Sequence, residues 1–484
     1  MLRALRSAFF GRRKIMDPLI AVVGATGTGK SKLAVDLACR FNGEIINGDA
    51  MQMYRGLPII TNQIPVEERN GIPHHLLSCI ELEAEPWRIG AFKNEALKLI
   101  SDIRSRGKLP ILVGGTHYYT QAVLFKDQLV GEGVEKDDSS DNEASEPTTE
   151  GPSSSEKWPI LDSPPEVLME KLREVDPVMA ARWHPKDGRK LRRSLEIYFQ
   201  TGRPASEIYA EQKASKAEAL VGDEGTLRFN NTLIFWVHAE KETLNKRLSS
   251  RIDTMIEQGL MDEAQLMSEY LEKKRSEGIE VDQTRGVWVS IGFKELAPYF
   301  AAVDKAEQTE YELEKLKQEC IEQIRIATRQ YGVSQVKWIR NKLWRALSEA
   351  GMVERLYLLD STDVSQWSEC ITKQSENIFQ AVLKGESTPD PKSLSSLANE
   401  VFSAKEAKAR VQSTDTTCYT CELCKKTMAG EEQWNIHLVS KYHRGAIKSA
   451  AKKAERDAYF QKQASESQEA AKVDSEPSVT GSRT

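Results

Sequence analysis

No stretch of the 484 residues approaches the roughly 18 consecutive apolar residues that a membrane-spanning helix needs, and no membrane partner is expected. Cysteine is scarce. Seven in so long a chain are too few for a disulfide scaffold, and their odd number excludes complete pairing. Neither sign of charge dominates: 67 Lys and Arg stand against 72 Asp and Glu, a net charge of −5. That balance excludes a uniformly basic nucleic-acid coat, although an acidic insert can mask a local basic surface. What is present suits a solvated, folded chain. Hydrophobic residues make up 40% and aromatics 7%, enough for a sizeable core, while 29% are charged. The length is roughly three times that of one domain, so two or three folded units are expected.

The segment from Met1 to Lys14 carries five basic residues and no acid, with Leu2, Leu5, Phe9 and Phe10 at near-helical spacing. Residues 1–16 thus read as a mitochondrial targeting helix, with a disordered basic tail as the alternative. A start at Met16 would omit the address, so a distribution over mitochondrion and cytoplasm, or nucleus, is expected.

Beyond it, apolar runs at Leu19–Val23, Glu44–Ile46 and Leu109–Val113, separated by a glycine loop and helical patterns, predict a parallel α/β sheet across 17–126. From Asp127 to Glu156 ten acids face one lysine among Ser, Thr, Gly and Pro, so 127–160 reads as a disordered loop. A basic helical insertion follows over 161–229. The core then resumes over 230–383 with strands at Asn231–His238 and Arg355–Leu359. Residues 384–415 read as a linker, 416–446 as a cysteine/histidine module, and 447–484 as a charged helix with a disordered tail.

Gly24-Ala25-Thr26-Gly27-Thr28-Gly29-Lys30-Ser31 fits G-x-x-x-x-G-K-S between a strand and a helix. Backbone N–H groups of such a loop converge on phosphate oxygens and the helix N-terminus adds positive potential. Lys30 supplies a cation for terminal oxygens and Ser31 a hydroxyl suited to Mg²⁺. The loop predicts polyphosphate binding without naming the reaction. Asp49 falls at the end of the second strand, where open α/β sheets place their chemistry. It can hold Mg²⁺, act as a base, or merely cap the turn after Asn47-Gly48. Arg247 and Arg251, four apart on one helical face, can clamp the same phosphates or lie on a solvated face. The run Arg189-Lys190-Leu191-Arg192-Arg193 and the patch Tyr331, Lys337, Trp338, Arg340 suit RNA backbone contact and stacking, or are simply solvated charged faces. His74, His75 and His117 show no metal-ligand spacing and read as structural.

Taken in order, GATGTGKS at 24–31, GDAMQMYRGLPIITNQIP at 48–65, IPHHLL at 72–77, GGTHYY at 114–119, DGRKLRRSLEIYFQTG at 187–202, RIDTMIEQGL at 251–260 and TRQYGVSQVKWIR at 328–340 resemble the tRNA dimethylallyltransferases. The eukaryotic members carry a C-terminal zinc finger. The resemblance covers most of 18–345 and the finger. It implies transfer of the prenyl group of dimethylallyl diphosphate to N6 of adenine 37 of tRNA, by a chain taken as monomeric. In that reading Asp49 orients the amine and accepts its proton. Thr28 and Lys30 sit on the diphosphate with Mg²⁺, and Arg251, rather than Arg247, is the catalytic arginine. Asp49, Ala50, Met51 and Gln52 line the pocket for the extruded base, Thr116 contacts the tRNA beside it, and the 189–193 run grips the anticodon stem. Departures are Ala50, where a serine is more usual, Val289-Ser290 before Ile291, and the acidic loop. Two rivals remain: a phosphate-loop kinase of a nucleotide or metabolite, and a non-catalytic RNA-binding adaptor.

Cys421-x₂-Cys424-x₁₂-His437-x₅-His443 has the spacing of a C₂H₂ finger, a closed tetrahedral Zn²⁺ set whose binding would fold so short a unit. Cys418 leaves a shifted set open. Cys39, Cys79, Cys320 and Cys370 read as ordinary buried residues.

Overall fold

The computed structural model describes residues 18–126, 158–183, 185, 187–211, 227–229, 231–305, 308–414, 418–424, 426–429 and 431–473. The targeting segment, nearly all of the acidic loop and the last eleven residues of the tail lie outside that range. The chain divides into two compact units, Met1–Asn399 and Glu400–Thr484.

The first unit is built on six strands: β1 (Leu19–Gly24), β2 (Gly43–Asn47), β3 (His74–His75), β4 (Leu109–Val113), β5 (Thr232–His238) and β6 (Leu356–Asp360). They pair in the order β3-β2-β4-β1-β5-β6, every pair parallel. The continuous apolar runs of β1, β4 and β5 are wholly buried, as expected of strands covered on both faces. Five strands match the expected runs; β3 has only two residues and no apolar run to announce it. Val22 pairs with both Val113 and Phe235, and Asn47 with Val113, so the C-terminal ends of β1, β2, β4 and β5 open onto one edge.

Helices α1 (Lys30–Phe41), α2 (Ile89–Ser105) and α3 (His117–Leu124) follow the early strands. The insertion forms its own small core. In it α4 (Pro165–Val175), α5 (Pro177–Arg182) and α6 (Gly188–Thr201) bury Leu168, Leu172, Leu191 and Leu195. After β5 come α7 (Lys241–Glu257), α8 (Leu260–Ser276), α9 (Phe293–Lys305) and α10 (Glu310–Trp338). A capping box of Thr309 and Glu312 starts α10. Next follow α11 (Trp344–Glu349) and α12 (Gln374–Lys384).

Of the four cysteines expected to be buried, Cys320 is buried and Cys370 partly so, whereas Cys39 and Cys79 are exposed. Of the stretch 384–415, expected to be a linker, residues 384–414 are described and fold largely into regular structure. The Tyr357 hydroxyl donates to Thr388 Oγ1 at 2.8 Å, Leu394 packs on the sheet core, and α13 spans Ser396–Thr414. Ala398, Val401 and Phe402 are buried at helical spacing, a period masked by the turn-rich residues before it.

In the second unit β7 (Cys418–Cys421) and β8 (Lys426–Ala429) form an antiparallel hairpin. Helices α14 (Glu431–Leu438) and α15 (Lys441–Val473) follow it.

Candidate active site

The phosphate loop leaves β1 and turns into α1 through Gly29, whose φ of +92° only glycine adopts without strain. A methyl on Gly29 would also lie 2.5 Å from the ring of Trp367, which is held by a bond from its Nε1 to Asp36 Oδ2 (3.0 Å). Sequence reading missed this wall behind the cradle. Leu244 and Leu248 of α7 pack against Ala25. Within the loop, Lys30 Nζ donates to Ala25 O at 2.7 Å and the Thr28 hydroxyl to the same oxygen at 3.0 Å. Burial pushes the Lys30 ammonium down to about 8 despite the attraction of Asp49. Arg251 of α7 reaches the loop and donates from Nη2 to Thr26 Oγ1 at 2.9 Å; burial lowers it to about 10. Arg247, one turn earlier, instead donates to Thr362 O at 2.7 Å, in the loop after β6.

Asp49 follows β2 in a turn fixed by its neighbours. Asn47 Oδ1 accepts from Asp49 N and Asn47 Nδ2 donates to Asp49 O, each at 3.0 Å. Met51 N donates to Asp49 Oδ1 at 3.1 Å, and the Gly115 N–H also supports the carboxylate. Burial nonetheless raises the Asp49 carboxyl above the ordinary range, against the pull of those donors and of Lys30. A raised carboxyl is a stronger base. Asp49 and Lys30 act on each other, the carboxylate raising the ammonium and the ammonium lowering the carboxyl.

Three loops close on this pair. Thr116 Oγ1 accepts from Ala50 N at 3.0 Å, so it shapes the turn after Asp49. Gln52 Nε2 donates to Asn62 O at 2.8 Å, and Gln63 Nε2 donates to Gln52 O and Tyr54 O. The buried Glu263 of α8 accepts from Ile59 N and Ile60 N at 2.7–3.1 Å, fixing the turn beneath Asn62. His117 Nδ1 donates to Gly115 O at 2.7 Å, and burial lowers the ring to about 4, so it is neutral as a structural histidine should be. Gln335 of α10 bonds both Thr26 and Gly115. Neither Glu263 nor Gln335 was expected. Gln335 sits four residues after Tyr331 on one helical face, the spacing that could have revealed it.

The basic run lies on α6, with one correction. Leu191 is fully buried in the core of the insertion, so it packs that core and is no RNA contact. Arg189, Lys190 and Arg193 are exposed; Lys190 pairs with Asp187 at 2.7 Å, and Arg192 and Arg193 pair with Glu196. On α10 Lys337 is exposed, while Arg340 just beyond it is half-buried and influences His238.

In the second unit one ligand atom each from Cys421, Cys424, His437 and His443 fall within 4.8 Å of one another. That spread fits the tetrahedron of a structural zinc with two thiolates and two imidazoles. Among the described residues these four, the expected ones, make up the set.

A parallel sheet carrying a phosphate loop, with a half-buried carboxylate at its edge and an arginine reaching the loop from a later helix, defines a P-loop α/β enzyme. A family model described as IPP transferase matches residues 52–342, and one described as a zinc-finger of C2H2 type matches 419–443. The tRNA dimethylallyltransferase of Schizosaccharomyces pombe is 37% identical over 454 residues, covering 91% of this chain and 98% of that protein. The Saccharomyces cerevisiae tRNA dimethylallyltransferase is 35% identical over 463 residues, covering 93% and 97%. A solved eukaryotic dimethylallyltransferase acting on tRNA matches with a TM-score of 0.68 at 34% identity, covering 92% of this chain and 99% of that one. The chain belongs to the IPP transferase family.

Proposed function

We propose that this enzyme transfers the dimethylallyl group of dimethylallyl diphosphate to N6 of adenine 37 beside the tRNA anticodon. The observation that carries the reading is the half-buried Asp49 carboxylate lying in the field of Lys30 of the phosphate loop, in a chain similar to tRNA dimethylallyltransferases along nearly its whole length. An exocyclic adenine amine is a weak nucleophile. Asp49 accepts a hydrogen bond from it, aims it at C1 of the prenyl group, and takes the proton as the N–C bond forms. The C–O bond breaks with its electron pair on the diphosphate. Backbone N–H groups of the Gly24–Ser31 loop other than that of Thr26, which is bonded to Gln335, receive that charge together with Lys30 and Arg251.

The Thr28 hydroxyl already serves Ala25 O, so we assign it to shaping the cradle while its oxygen still accepts. The Ser31 hydroxyl is a hard oxygen of the kind Mg²⁺ takes, and the ion would supply charge neutralisation for the leaving group. Arg247, tied to the loop after β6, supports the cradle from outside.

For tRNA, Ala50, Met51 and Gln52 form the base-facing turn and Thr116 holds it in place. Arg189, Lys190, Arg192 and Arg193 on α6, with Lys337 and Arg340, supply phosphate contacts. The zinc finger adds RNA contact, the chain works as a monomer, and the two starts divide it between mitochondrion and cytoplasm or nucleus.

The test is incubation with purified tRNA, Mg²⁺ and radiolabelled dimethylallyl diphosphate. The label is expected on the adenosine that follows the anticodon. Unlabelled RNA, together with γ-phosphate transfer from ATP to a small acceptor, would overturn the assignment in favour of a kinase.

A further inference from the structure

Gln335 belongs to α10, more than 200 residues after the last of the loops it touches, and is only 3% exposed. Both ends of its amide are used. Oε1 accepts from Thr26 N at 2.8 Å, and Nε2 donates to Gly115 O at 3.0 Å. Thr26 is a peptide of the phosphate loop, held on its other side by Arg251. Gly115 is the residue whose N–H supports Asp49. One side chain therefore bridges the cradle for the leaving group and the seat of the base.

The fit leaves no slack. A methyl on Gly115 would lie 2.5 Å from Asp49 Oδ2 and 2.8 Å from Gln335 Nε2, so the glycine lets carboxylate and amide close on the same residue. The two loops leave different strands, β1 and β4, and loops are the most mobile parts of such a fold. Displacement requires the nucleophile and the leaving group to be placed on opposite sides of one carbon, and an error of about 1 Å costs about a hundredfold in rate. A primary amide offers a donor and an acceptor side by side from one rigid plane. Glutamate at this position would present two acceptors, and methionine would present neither partner.

We propose that Gln335 is a positioning residue for prenyl transfer, fixing the spacing between the diphosphate cradle and Asp49 without touching either substrate. The inference rests on the functional reading above. The N–H of Thr26, spent on Gln335, is accordingly a strut of the loop and not one of its anion donors.

The test compares Gln335→Met and Gln335→Glu with the wild-type chain in steady-state prenylation of tRNA across pH, alongside thermal unfolding. For Gln335→Met, kcat should fall by about tenfold or more while KM for dimethylallyl diphosphate stays within about threefold, because the cradle survives but no longer faces the base squarely. The acid limb of the profile should also move to higher pH. A loosened Gly115 N–H stabilises the ionised Asp49 less, and a group that loses a donor to its charged form titrates higher. Gln335→Glu should move the limb further, since it adds a negative charge. The other titratable groups whose fields reach Asp49, namely Lys30, Tyr119 and Tyr331, are the same in all three proteins.

A kcat near the wild-type value with the limb unmoved would overturn the proposal. So would a loss of rate that tracks lower thermal stability equally at every pH, the mark of a purely structural residue. If Gln335→Met does not fold, the isosteric Gln335→Glu carries the same comparison. A wild-type chain that places no prenyl group on tRNA would instead defeat the functional reading first.

Discussion

At the scale of single residues, the site combines a carboxyl raised by burial with an ammonium lowered by it. Asp49 must be ionised to act as a base, so activity falls as pH drops through its raised value. Lys30 must be protonated to hold the diphosphate, so affinity falls as pH rises through about 8. The profile of kcat/KM for dimethylallyl diphosphate, which reports the free enzyme, should be bell-shaped, with its alkaline limb near 8 and its acid limb above the ordinary carboxylate range. Steady-state rates across pH would check both limbs. Burial also means that the ionised Asp49 costs the fold stability at neutral pH, because a carboxyl raised in the folded state prefers its proton there. Asp49→Asn should therefore melt at a higher temperature than wild type near pH 7, a gain that calorimetry can read. Arg251→Gln should raise KM for dimethylallyl diphosphate by about tenfold, the loss of one charge-assisted bond, whereas Arg247→Gln should change it little.

At the scale of elements, helix α6 and strand β2 carry separate tests. The exposed Arg189 and Arg193 sit on α6, outside the catalytic pocket. Replacing either with Ala should weaken tRNA binding without changing kcat, and reduce the slope of log affinity against log salt by about one for each phosphate no longer neutralised. Filter binding over a salt series measures it. On β2 the buried Glu44 accepts from His75, Arg106 and Lys108, and the Arg106 guanidinium holds its carboxyl well below the ordinary range. A depressed carboxyl stabilises the fold above its unfolded value of about 4.3, and that stabilisation fades as pH falls below it. Glu44→Gln should cost about 3 kcal/mol at pH 7 in denaturant unfolding, with the gap closing in acid.

Much of this layer is legible in the sequence. Five of the six strands fall on apolar runs, continuous in β1, β4 and β5, and the phosphate loop announces its own geometry. What stays hidden depends on residues distant in the chain. Gln335 and Glu263 look like ordinary polar residues until folding brings them beneath loops more than 200 residues away, and two-residue β3 exists only because β2 offers it an edge. Leu191 is misread when the charge run is taken whole, although its helical period points that one position inward.

At the scale of the whole molecule, a catalytic unit and a zinc-finger unit have different sources of stability. The first rests on a buried sheet. The second carries the ligand set Cys421, Cys424, His437 and His443, and metal bound there supplies folding energy. Chelation, or Cys421→Ser, should abolish the ordered hairpin resonances of the finger in an NMR spectrum while leaving the main thermal transition of the first unit in place. The claim on which all of this depends is that one carboxylate steers an adenine nitrogen toward a carbon whose diphosphate is leaving into the phosphate loop. The most direct measurement is single-turnover prenylation by Asp49→Asn beside its tRNA dissociation constant. The account predicts a rate lower by about a hundredfold or more with tRNA affinity nearly unchanged; a variant that prenylates tRNA at the wild-type rate would contradict it.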